Sequence, residues 1–219
     1  MGHWISLETR TECINAWRAD PAIPAHGALV VVQEIFGVNS HIRAVVEKFA
    51  AHGYIAIAPC LFDHIERDVE LDYDAEGVAK GKQLVAELGM DSAVSDVHAA
   101  MQQVAAEAHV GVVGYCWGGT VAYLACTRMG LPAVSYYGGR TVPFLHERPQ
   151  APLLMHFGET DPIIPADAVQ KHRDALPTAE IHVWPAGHGF NCDQRGDYNA
   201  GVAERALSRT LSFFEQHLR

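Results

Sequence analysis

Residues 110–125, VGVVGYCWGGTVAYLA, join an apolar strand to an apolar helix across a turn of very few residues. So quick a reversal lays the helix back along the strand it came from, and glycines at 114, 118 and 119 leave room for that. A strand apolar throughout must be covered on both faces, which parallel sheets achieve with crossover helices. The stretch therefore dictates an α/β architecture, a mainly parallel sheet with helices on both faces. It also sets Cys116 at the apex, where unpaired helix N–H groups and the positive dipole end favour a thiolate. Alone, the turn is equally compatible with a structural cysteine.

The rest of the chain repeats the unit. ALVVVQEIF (28–36) and YIAIAP (54–59) read as buried strands, separated by a helix at 40–52 with Ile42, Val45, Val46 and Phe49 on one face. Residues 60–78 are acidic and poorly periodic, which predicts a surface excursion or lid. A helix near 79–89 follows, then a second one N-capped by Asp91 and carrying Val94, Val97, His98, Met101 and Val104. Further strands are expected at 133–138, 152–158 and 180–185, and helices at 117–129, 166–175 and 198–218. WISLETRTECINAWRADP supplies a short N-terminal hairpin. Neither a repeat nor a linker interrupts the pattern, so residues 1–219 are read as one domain.

Composition narrows the partners. A formal charge of −10 argues against nucleic acid and against an anionic membrane surface. No apolar run approaches the ~18–20 residues of a membrane span, and MGHWISLETR lacks the basic start and apolar core of a signal peptide. Five cysteines, odd in number and without CxxC spacing, indicate neither a disulfide framework nor a zinc site. A reducing cytoplasm is the expected compartment, with a monomer or small homo-oligomer as the form.

Two later loops change the reading of Cys116. HFGETDPIIP (156–165) puts Asp161 just after a strand, and WPAGHGF (184–190) puts His188 in a glycine-framed loop after the last one. The order nucleophile, acid, histidine, each from the carboxyl end of a strand, is that of the α/β-hydrolase fold. Separately, Asp161 has the blander alternative of an N-cap or turn aspartate, and His188 reads as a solvated loop residue; three loops in that order make coincidence improbable.

VVQEIFGVNSHIR, GYCWGG, GETDPIIP and AGHGFNCDQR, in that order and across almost the whole chain, resemble the dienelactone hydrolase family. The resemblance implies an α/β-hydrolase fold and a Cys116–His188–Asp161 triad. It further implies Glu34 beside the thiol, backbone amides of Ile35 and Trp117 as an oxyanion hole, and no metal or organic cofactor. Without it, Glu34 is equally a buried carboxylate paired with an arginine. In the family this glutamate helps to take the thiol proton when substrate binds. The expected reaction is attack of thiolate on an activated ester or lactone, a small-molecule substrate, through a thioester that water then hydrolyses.

The substrate pocket departs from the family. Dienelactone enzymes clamp a substrate carboxylate with two arginines; the corresponding positions here are Cys192 and the neighbourhood of Val78. Lys82 and Arg195 lie near in sequence, and Phe36 and Phe190 are aromatic candidates for a less charged acyl group. The reading is therefore an ester or lactone hydrolase whose substrate is not dienelactone itself. A thiol-reactive redox or binding protein using Cys116 without turnover is the alternative.

Overall fold

The structure, a computed structural model, describes residues 1–218. Contacts divide the chain into two units, residues 1–111 joined by Leu218, and residues 112–217.

The first unit starts with an antiparallel hairpin, β1 (His3–Glu8) and β2 (Cys13–Ala19), in register Trp4↔Trp17 and Leu7↔Ile14. β2 runs antiparallel to β4 (Tyr54–Pro59), and β4 runs parallel to β3 (Gly27–Val32). Every residue of β3 and β4 is buried, as an uninterrupted apolar pattern requires. The crossover between them is α1 (Ser40–Ala51), whose first turn is capped by Asn39 accepting from the Ile42 amide at 3.2 Å.

Three boundaries in this unit differ from expectation. β3 stops at Val32, four residues short of Phe36. There the Gln33 side chain turns back, donating to the Glu34 carbonyl (3.3 Å) and accepting from the Leu61 amide (3.2 Å). The stretch α2 (Ala75–Val104), capped by Asp74, starts four residues earlier than expected and comprises the two expected helices, which meet at a kink at Gly89. Gly89 sits at φ 75°, ψ 164°, so the interruption lies at this glycine, two residues before Asp91. Finally, residues 60–74 form the expected surface excursion, but it is anchored at its start and near its end. Leu61 and Phe62 are buried, a bridge joins Gly37 to Glu70, and the Leu71 amide donates to the Phe36 carbonyl at 2.9 Å. Acidic side chains on one face had concealed two apolar anchors.

The second unit is a parallel sheet in the order β5 (Val110–Tyr115), β6 (Ala133–Tyr136), β7 (Leu153–Gly158), β8 (Glu180–Trp184). Its helices are α3 (Trp117–Met129), α4 (Ala166–Ala175) and α5 (Ala200–His217). β6 is shorter than expected, because Tyr137 leaves the strand at φ 39°. Parallel strands bring their carboxyl ends to one edge, and the β5, β6, β7 and β8 exits all lie there. No described helix is long and apolar enough to cross a membrane.

Candidate active site

Cys116 stands between β5 and α3 at φ 54°, ψ −117°, a region that non-glycine residues avoid. Such a conformation costs about 1–3 kcal/mol and persists where the surroundings impose it. Here its amide donates to the Tyr136 carbonyl at 3.0 Å, and its carbonyl accepts from the Gly119 amide at 3.0 Å. A methyl group at Gly114 would run into the carbonyl of Gly118, so the helix can double back only over a bare backbone.

Asp161 is fixed in the loop after β7. Its Oδ1 accepts from the amides of Ile163 (2.8 Å) and Ile164 (3.2 Å), leaving Oδ2 for the imidazole. The loop after β8 carries His188, and two main-chain bonds tie it to the aspartate loop: Glu159 N–H to Trp184 O (2.7 Å) and Thr160 N–H to Ala186 O (3.1 Å). His188 Nδ1 lies 2.7 Å from Asp161 Oδ2, and Nε2 lies 3.1 Å from Cys116 Sγ. Both partners of the ion pair are shut off from water, with side-chain exposures of 3% and 0%.

Burial opposes a charge on His188, but the hydrogen bonds to Asp161 and Cys116 outweigh it and lift the imidazole to about 10. The shift favours the charged ring, with Nδ1 held by Asp161 and Nε2 facing the sulfur. That arrangement sets a thiol sulfur within hydrogen-bond reach of an imidazole whose other nitrogen is held by a carboxylate.

Around this trio, the Tyr137 ring lies 5.1 Å from that of His188 and 5.3 Å from that of Phe190. Arg195 lays its guanidinium against Gly189, and Asp197 its carboxylate against Gly187. Phe190 is fully buried among these aromatics, and Trp117 is buried at the head of α3. Tyr137 escaped the sequence reading. Its signal was SYYGG (135–139), an aromatic pair running straight into two glycines at a strand exit.

The remaining candidates belong to the first unit, on the turn after β3. Glu34 is fully buried and Ile35 nearly so; the Ile35 carbonyl packs against α2 where Gly81 has no side chain. Phe36 packs against Tyr73, the ring centroids 4.5 Å apart and the planes tilted by 55°. Arg43 closes the turn, donating to the Val38 carbonyl (2.8 Å) and to Glu70 (2.6 Å). Lys82 is exposed on α2.

Residues 14–218 match the dienelactone hydrolase family. The chain belongs to that family. A Synechocystis protein provisionally named carboxymethylenebutenolidase is 31% identical over 238 residues, covering 98% of this chain and 96% of its own. The carboxymethylenebutenolidase of Pseudomonas putida is 32% identical over 205 residues, covering 88% and 87%. A crystal structure from Klebsiella pneumoniae, provisionally named a dienelactone hydrolase, is 30% identical with a TM-score of 0.89, covering 99% of each chain. The fold is thus the α/β-hydrolase fold of the dienelactone hydrolases, and the chain is a hydrolase of carboxylic esters or lactones.

For this dienelactone hydrolase family member, the turn before Cys116 gives a first prediction. Gly114→Ala drives a Cβ into backbone that cannot yield, and should cost about 3 kcal/mol. At this chain length that lowers Tm by roughly 6–12 °C. A thermal melt within 2 °C of the wild type would show that the α3 backbone shifts freely.

Proposed function

We propose that the chain hydrolyses neutral activated esters or lactones with Cys116 as nucleophile, His188 as acid and base, and Asp161 as its orienting partner. The observation that carries this is the 3.1 Å contact of His188 Nε2 with Sγ while Nδ1 is held by Asp161. Glu34, and the amides of Ile35 and Trp117, keep the roles that the family resemblance gives them: help with the thiol proton and stabilisation of the oxyanion. We read residues 1–219 as one domain, since the family match runs unbroken through both units. A monomer or small homo-oligomer in the cytoplasm is the corresponding form.

In the first half-reaction sulfur attacks the carbonyl carbon, a C–S bond forms, and negative charge moves to the carbonyl oxygen. Collapse breaks the C–O bond, and the proton on His188 Nε2 goes to the leaving oxygen. Acylated sulfur carries no charge and no proton, so both contributions of Cys116 to the basicity of His188 vanish. The imidazole, now neutral, takes a proton from water as its oxygen attacks the thioester. Breaking the C–S bond releases the carboxylic acid and restores the starting pair.

Substrate charge follows from the residues at and near the positions where the family carries its arginines. Cys192 is buried and uncharged where the family carries an arginine, Lys82 faces solvent, and Arg195 is applied to Gly189. Each lost charge-assisted contact is worth about 1.5–3 kcal/mol. Carboxylated substrates should therefore lose any advantage over neutral ones of the same leaving group. The experiment compares kcat/KM for a neutral ester and its carboxylate analogue at several salt concentrations. A preference for the carboxylate that salt weakens and Arg195→Ala or Lys82→Ala removes would overturn the neutral-substrate reading. The same assay separates turnover from mere thiol reactivity, because a binder using Cys116 once releases no more than one equivalent of p-nitrophenol per chain.

A further inference from the structure

Among the described residues of the second unit, two non-glycine residues have positive φ, Cys116 at 54° and Tyr137 at 39°. The first is explained by the turn that presents the nucleophile. The second lies in no helix junction, and an aromatic residue gains nothing by itself from that conformation. What holds it is main chain on both sides. The Tyr137 amide donates to the His156 carbonyl at 2.7 Å, and the carbonyl just before it, that of Tyr136, accepts from the Cys116 amide at 3.0 Å. One strained peptide is thus bonded directly to the nucleophile's own backbone. The outcome is a fully buried ring whose centroid lies 5.1 Å from the imidazole of His188, inclined at 59°.

We propose that Tyr137 is a positioning residue for His188: its ring backs the imidazole and favours the charged form, and β6 is ended early to put it there. It acts through His188 and not on the reacting bond. The proposal rests on the triad reading only for its effect on turnover. A cation within about 6 Å of an aromatic centroid is attracted by the ring's quadrupole, more so where water is excluded. The other charged or titratable groups facing His188 are Asp161 from the loop after β7 and Cys116 at the head of α3. On its own loop, Asp197 and Arg195 lie against the glycines on either side. Among these neighbours, Tyr137 meets the imidazole ring to ring, tilted at 59°, while the two ring nitrogens are taken by Asp161 and Cys116.

The test is a ¹⁵N NMR titration of the His188 side chain, identified by its loss in His188→Gln, in wild type, Tyr137→Phe and Tyr137→Leu. Tyr137→Phe keeps the ring and should titrate with the wild type. Tyr137→Leu should titrate lower by about half a unit or more, with kcat reduced roughly tenfold and KM within about threefold. Should the leucine variant fail to fold, pentafluorophenylalanine placed at 137 keeps the shape and reverses the quadrupole; it should lower the titration likewise. An unmoved titration in a folded leucine or fluorinated variant overturns the proposal, even if kcat falls. Since the titration needs no substrate, it stands apart from the triad reading, which fails separately if Cys116→Ala still turns over ester.

Discussion

Cys116→Ala is expected to reduce hydrolysis of p-nitrophenyl acetate to background, a loss on the order of 10⁵-fold in kcat, while leaving Tm nearly unchanged. The two halves of this expectation have different causes. Removing sulfur leaves no atom at the position where His188 Nε2 has its 3.1 Å partner, so no thioester forms. Alanine keeps the Cβ, however, and with it the strained backbone at φ 54° that the turn imposes. Cys116→Gly isolates that strain. It should melt above Cys116→Ala, because relief of about 1–3 kcal/mol exceeds the roughly 0.5–1 kcal/mol that glycine's freedom costs. Cys116→Ser should be a weak enzyme at best, since a hydroxyl is far harder to ionise than a thiol with its reference value of ~8.5. Wild-type turnover by the alanine variant would remove Cys116 from the mechanism, and with it the reading of His188 as a partner to sulfur.

How much of this was legible beforehand depended on the kind of residue. The strand–turn–helix at 110–125 was readable to within a residue, because periodicity, glycines and an apolar run all pointed the same way. Asp161 and His188 were singled out by chain order, and in the structure His188 Nδ1 lies 2.7 Å from Asp161 Oδ2. The turn after β3 was misread as strand because Gln33, Glu34, Ile35 and Phe36 continue a buried pattern; the side-chain bonds of Gln33 that end the strand are invisible to hydropathy. The anchoring of the surface excursion at 60–74 was missed for a related reason. Leu61 and Phe62 are too few to give a period, yet burying them anchors the whole segment. Tyr137 was passed over because SYYGG marks a strand exit without revealing the one dihedral angle that sets its ring beside His188.

His188→Ala should separate the two half-reactions. An activated ester can still acylate a sulfur that has lost its partner, slowly, because p-nitrophenolate leaves without a proton. The thioester it forms has no base to activate water, so deacylation should fall by on the order of 10³-fold or more. Intact-mass spectrometry should then show Cys116 carrying the acyl group for many minutes, where the wild type shows none at steady state. The wild type supplies the complementary measurement through pH. In the resting protein His188 is held charged up to about 10 by Asp161 and Cys116 together, against the effect of burial. Acylation deletes the sulfur contributions while burial and Asp161 persist, so the sign of the change is downward. Decay of a preformed thioester should accordingly rise with pH and level off clearly below 10, once the imidazole is neutral. A decay rate still climbing through pH 10 would mean that hydroxide, and not His188, delivers the oxygen. Rapid steady turnover in His188→Ala would say the same from the other side.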